Sequence, residues 1–126
     1  MRIEHVGMWT KDLETMRTFY ETYFKAHSGE KYHNPKKQFT SCFLTFESGS
    51  RLELMHREDI SKEAAESFGY AHLALSVGDK DAVDKMVDRL QADGYALLNG
   101  PRTTGDGYYE AAIEDPEGNL IEIMAG

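Results

Sequence analysis

The sequence predicts an α+β fold in which one order of elements, a strand, a helix and then three strands, occurs twice. Two observations carry this. Apolar residues recur at helical spacing over 12–24 and again over 79–93, each time just after a short alternating run. After each helical stretch come alternating apolar segments broken by Gly, Pro, Ser and Asn, which is how strands and their turns read.

Taken in order, residues 3–9 alternate, with Val6 and Met8 on one side, and predict the first strand. Leu13, Met16, Phe19, Tyr20, Tyr23 and Phe24 lie three and four apart, so 12–24 is a helix capped by Thr10 or Asp12. The polar segment 27–38, with Gly29 and Pro35, reads as a loop or a weak edge strand. Segments 39–46 and 51–56 are strands joined as a hairpin across Glu47-Ser-Gly-Ser50. The pattern restarts near Tyr70. Residues 71–77 form a strand, and 79–93 form a helix through Ala82, Val83, Met86, Val87 and Leu90, stopped by Gly94. A further strand begins over 95–98, followed by a loop over 99–107 rich in Gly, Pro and Thr. Strands at 108–114 and 119–124 are turned by Asp115-Pro-Glu-Gly118. One domain over 1–126 therefore holds a first module at about 1–57, a linker at 58–69 with a short helix around 62–68, and a second module at about 70–126. Each module leaves one side of its sheet uncovered, so two such sheets, from one chain or two, would enclose a cleft.

Composition narrows the function classes. At 126 residues, with 40% hydrophobic and 29% charged residues, the chain can bury one modest core and is not of the disordered class. A net charge of -8 argues against a nucleic-acid surface, which needs concentrated Lys and Arg, and against an anionic membrane. No run approaches the roughly 20 apolar residues of a membrane span, and Met1-Arg-Ile-Glu-His5 is not an apolar leader, so a cytoplasmic location is expected. The single cysteine, Cys42, excludes an intrachain disulfide and reads as a buried strand thiol.

The residues able to hold a metal occupy matched places. His5 and His72 lie in the first strands of the two modules, and Glu53 and Glu122 in the last strands. Forty-eight residues separate His5 from Glu53, and 50 separate His72 from Glu122. Glu53 stands between Leu52 and Leu54, and Glu122 between Ile121 and Ile123. A carboxylate in such a strand is costly to desolvate unless it faces water or a cation. Two imidazoles and two carboxylates suit Zn, Ni, Co, Mn or Fe and leave room for water on a six-coordinate ion. His27 and His33 lie in polar segments, and His56, three residues after Glu53, points to the other face of its strand.

Glu4-His-Val-Gly-Met8, Phe19-Tyr20, Arg51-Leu-Glu-Leu54, Ala71-His-Leu-Ala-Leu-Ser-Val77 and Glu114-Asp-Pro-Glu-Gly-Asn-Leu-Ile-Glu-Ile123 together resemble the vicinal oxygen chelate superfamily, over nearly the whole chain. Within it the chain is most similar to bacterial glyoxalase I, the lactoylglutathione lyases. The resemblance implies paired βαβββ modules, a curved mixed sheet around a metal-binding cleft and a homodimer. It implies one divalent ion per site (Ni, Co, Zn or Mn) on His5, Glu53, His72 and Glu122. It also implies a small-molecule substrate, the methylglyoxal–glutathione hemithioacetal, isomerised to lactoylglutathione by proton transfer. Glu122, with Glu53 as its symmetric partner, would be both ligand and catalytic base.

The chain also departs from that pattern. Trp9 stands four residues after the first ligand His, where the bacterial enzymes carry an Arg that holds a glutathione carboxylate. The Asn that helps bind the thiol is not evident after Glu53. Arg57 and Arg102 are the candidates to replace the missing charge, and the loop Thr103-Thr-Gly-Asp-Gly-Tyr-Tyr109 reads either as a lid or as a plain connection. Related readings are therefore an epimerase, a dioxygenase or a thiol transferase on the same scaffold, or a metal-free module that sequesters a drug as the bleomycin-resistance proteins do. A Glu at position 53 favours the glyoxalase type among these.

Overall fold

The computed structural model describes residues 1–61 and 68–126. The chain divides into two compact units, Met1–Ala65 and Glu66–Gly126. The short helix expected around 62–68 falls almost entirely outside the described residues.

In the first unit, β1 (His5–Trp9) leads into α1 (Leu13–Phe24). Then come two short edge pieces, β2 (His27–Ser28) and β3 (Tyr32–Asn34), and the long strands β4 (Phe39–Thr45) and β5 (Arg51–Arg57). The helix starts where expected. Asp12 is the N-cap, accepting a hydrogen bond from the Thr15 amide, and Lys25 closes the last turn in the left-handed region with its amide bonded to the Tyr20 carbonyl. Thr10 has another job: its amide and hydroxyl both donate to the Met55 carbonyl, at 2.7 and 3.0 Å, tying the end of β1 to β5. Leu13, Met16, Phe19, Tyr20 and Tyr23 form the buried stripe of α1. With Cys42, Leu44, Leu52 and Leu54 they make the core of this unit, α1 lying on β5. Each such side chain contributes roughly 1.5–3 kcal/mol on burial.

The sheet order is β1-β5-β4-β2, with β3 also on β4. The polar segment 27–38 is thus edge structure rather than open loop. Its two short pieces add to β4 because their polar, Gly- and Pro-interrupted sequence supports only brief pairing.

The second unit repeats the order with β6 (His72–Gly78), α2 (Lys80–Ala92), β7 (Leu97–Thr103), β8 (Tyr109–Glu114) and β9 (Leu120–Ala125), in the sheet order β6-β9-β8-β7. Asp79 caps α2 through the Ala82 amide. Val83, Val87 and Leu90 pack over a sheet whose buried positions include Ala111, Ile113, Ile121 and Ile123.

One expectation is corrected here. Residues 99–103, expected as part of a loop over 99–107, belong to β7 and pair with β8. Gly and Pro misled because both are tolerated in an edge strand at a bulge. The register shifts between Asn99 and Arg102, where Gly100 takes φ +85 and Pro101 needs no amide partner. The connection to β8 is accordingly short. The Thr104 amide donates to the Tyr108 carbonyl and the Gly107 amide to the Thr104 carbonyl, so the loop read either as a lid or as a plain connection is the end of a hairpin. Among the described residues, no helix is long and apolar enough to cross a membrane.

Candidate metal centre

In both units the first strand runs parallel to the last, and the register is the same. His5 pairs with Arg51 and Gly7 with Glu53; His72 pairs with Leu120 and Ala74 with Glu122. Each His therefore sits two positions before the partner of its Glu, on the same face of the sheet, with a small residue opposite the carboxylate. A Cβ on Gly7 would lie 2.9 Å from the Met55 methyl and 4.0 Å from Glu53 Oε1. The bare glycine keeps that ground open. The residues flanking each Glu, Leu52 and Leu54 or Ile121 and Ile123, are buried on the helix side, which turns both carboxylates to the uncovered face.

The result is an imidazole–carboxylate pair in each unit. His5 Nε2 lies 3.7 Å from Glu53 Oε1, and His72 Nε2 lies 3.3 Å from Glu122 Oε2. The side chains are 41% and 18% exposed in the first pair, 38% and 25% in the second, so each can meet a ligand from solvent while its carboxylate stays partly shielded.

A neighbour prepares His5. Its Nδ1 donates to Glu4 Oε2 at 2.5 Å. A carboxylate only accepts, so Nδ1 carries a proton, and Nε2 is the ring nitrogen turned toward Glu53. The hydrogen bond from His5, reinforced by the ion pair with Arg51, holds the Glu4 carboxyl below the usual carboxylate range. Arg51 in turn lies over the Phe43 ring at 4.0 Å, and Phe43 and His5 form a T-shaped pair. Glu4 escaped the sequence reading because an acidic residue beside a His at a strand end carries no pattern of its own.

Glu110 also escaped it. On β8, next to β9, its carboxyl is in hydrogen-bonding contact with Glu122. Desolvation, then the charge of Glu122 and that shared hydrogen bond, raise it above the usual range, against an opposing effect of Arg102. Strand alternation was the available signal, since Glu110 is set two residues before Ala112, the partner of Glu122.

The remaining histidines behave as expected or find local partners. His33 Nδ1 is 2.9 Å from the Thr40 hydroxyl on the helix side of β4, and His56 bridges the Thr10 carbonyl and Glu58. Among the described residues, no three His, Cys, Asp or Glu side chains gather into one group able to hold a metal. What the structure provides toward the expected set of four ligands is two pairs, one in each unit. Cys42 is buried, with burial raising its thiol pKa.

Comparisons with known proteins identify the family. Residues 2–123 match the model of the Glyoxalase/Bleomycin resistance protein/Dioxygenase superfamily, and the chain belongs to that superfamily. It is 26% identical to the uncharacterised protein YqjT of Bacillus subtilis, over 98% of each chain. Among solved structures it is similar to a glyoxylase/bleomycin resistance protein/dioxygenase domain from Frankia sp., with a TM-score of 0.84 at 17% identity over 100% of this chain and 98% of that one. It is also similar to the trypanothione-dependent glyoxalase I of Leishmania major, with a TM-score of 0.80 at 23% identity over 99% of this chain and 86% of that one. At such identities these likenesses speak for the fold alone and bear out the α+β reading; the match of residues 2–123 to the family model bears out the superfamily resemblance.

Proposed function

We propose that this protein is a divalent-metal-dependent enzyme of the glyoxalase type, acting on a small molecule with two neighbouring oxygens. The observation that carries the reading is the identical register of His5–Glu53 and His72–Glu122 in the two sheets. The donor set fits such an ion. Two imidazoles and two carboxylates are suitable ligands for Ni, Co, Zn or Mn, and the Glu4 hydrogen bond supplies the outer support that ligating imidazoles commonly have. His5, Glu53, His72 and Glu122 would hold it, the two pairs coming from one chain or from both subunits of a homodimer. When bound, the ion would polarise the substrate oxygens and stabilise negative charge as a C–H proton leaves.

The chain's own part is proton handling. Glu122 takes the proton from one substrate carbon and returns it to the next, with Glu53 as its counterpart in the other module. Glu110, in contact with Glu122, gives that carboxylate a fixed orientation. The first substrate to assay is the methylglyoxal–glutathione hemithioacetal. Metal content of the purified protein, followed by turnover with Zn, Ni, Co and Mn added in turn, tests the reading. Stoichiometric uptake with metal-dependent turnover is expected, and absence of any metal uptake would overturn it.

One observation favours a second reading. Trp9 replaces the cation with which the bacterial enzymes hold a glutathione carboxylate, and the nearby Arg57 is engaged by Asp59 at 2.5 Å. A metal-bearing protein that left the hemithioacetal untouched would point to another reaction on this scaffold, an epimerase, dioxygenase or thiol transferase.

A further inference from the structure

Trp9 is the only tryptophan in the chain and stands on the same face of the first sheet as His5 and Glu53. It pairs with Met55, one register step (about 7 Å) beyond the Gly7–Glu53 pair. The indole is fixed on two sides. Phe39 meets it in a T-shaped arrangement, with ring centroids 6.1 Å apart at 87°, and the Arg57 guanidinium lies 5.1 Å from its centre. Arg57 is itself held by Asp59, so its charge is locally balanced. Tyr32 extends the surface, its ring 6.3 Å from Phe39. Trp9 still keeps 40% of its surface open and Tyr32 57%. The core residues of β4 and β5, Cys42, Leu44, Leu52 and Leu54, lie on the opposite, α1-facing side of the sheet, so packing of this unit's core does not account for the aromatic cluster.

We infer that Trp9, braced by Phe39 and Arg57, is a specificity-determining platform for a flat aromatic substituent of the substrate, whose paired oxygens lie toward Glu53. The inference rests on the reading of His5–Glu53 as part of the reaction site and deepens it by naming a substrate class: an α-hydroxy or α-keto compound carrying an aryl group. A rigid indole offers a large apolar area without further loss of side-chain freedom, and ring-on-ring contact adds to area burial. With its guanidinium tied to Asp59, Arg57 serves to hold the indole, and the platform selects for a ring.

Mandelate and lactate provide the test, since both present neighbouring oxygens and differ in phenyl against methyl. Binding to the zinc-loaded protein is followed by calorimetry and by the emission of Trp9. Mandelate is expected to bind about 10-fold more tightly than lactate and to change the emission, while lactate leaves it unchanged. Trp9→Ala should erase the preference without altering lactate affinity, and Trp9→Phe should keep most of it. Equal affinities in the unsubstituted protein, or a preference that survives Trp9→Ala, would overturn the inference. If the protein takes up no zinc, the metal reading fails separately. The platform is then judged on phenylacetate against acetate, carboxylates without an α-oxygen: a preference lost in Trp9→Ala supports it and equal binding refutes it.

Discussion

The Asn119 side-chain amide reaches both carboxylate oxygens of Asp115, at 2.9 and 3.1 Å, across the turn that launches β9. The same carboxylate, only 4% exposed, also accepts from the backbone amides of Glu117 and Asn119. Asp115 therefore gathers the donors of the turn and sets where Glu122 falls along the strand. Asp115→Ala would leave those donors shielded and unpaired, at a cost of about 3 kcal/mol. Urea unfolding should show a lower midpoint at an unchanged slope. A variant as stable as the parent would mean that Pro116 and Gly118 alone hold the turn.

Glu122→Gln and Glu53→Gln separate the fold from the proposed chemistry. Both carboxylates lie on the uncovered face, and the amide keeps their volume, so stability should hardly change. Loss of the proposed base should lower turnover by a factor on the order of 100 to 10,000 for Glu122, and metal affinity should fall in both variants. The assay is turnover beside metal content. A Glu122→Gln protein with normal rates would remove this residue from the proton path.

Much of the fold was legible because its signals are local. The apolar spacing in α1 and α2, the caps at Asp12 and Asp79, and the alternation around Glu53 and Glu122 are all set within a few residues. Within each unit, the approach of His to Glu follows from the parallel register. Gly100 and Pro101 read as loop because their tolerance at an edge bulge depends on the neighbouring strand. Glu110 and Glu4 were missed for a similar reason, as their partners are chosen by cross-strand contact or side-chain direction.

Asp12 makes part of the stability pH-dependent. The Thr15 amide bonds to its carboxylate at 3.0 Å and holds its pKa below the ordinary value. A group depressed in the folded state contributes stability that is fully present above its unfolded pKa and is lost as pH falls through the folded one. Asp12→Asn keeps a good cap that does not titrate. Between about pH 5 and about pH 2 the parent should lose stability relative to this variant. Parallel curves of urea midpoint against pH would show that the cap bond does not favour the ionised form.

Cys42 is 1% exposed, on the helix side of β4, and desolvation raises its pKa. Both effects suppress the thiolate that reacts with disulfide reagents. Native protein should react with Ellman's reagent on the order of 100-fold more slowly than the urea-unfolded chain, because labelling must wait for local opening. Rapid stoichiometric labelling without unfolding would place the thiol at the surface.

Gly100 and Gly105 lie near each other in sequence and should respond very differently to alanine. At Gly100 the backbone has φ +85, and a Cβ would sit 2.6 Å from the Glu110 carbonyl oxygen and 3.0 Å from the Ala111 Cα. Both obstacles are backbone, so β7 would have to move away from β8. Gly100→Ala should therefore destabilise by about 2 kcal/mol or more. Because the clash falls on the residue whose carboxyl touches Glu122, the variant should also weaken metal binding. A Cβ on Gly105 would meet nothing within 4 Å, and the backbone there does not need a positive φ. Gly105→Ala should change stability by less than about 0.5 kcal/mol. Similar losses in the two variants would mean that the hairpin end, rather than the close approach at Gly100, limits the stability of this edge.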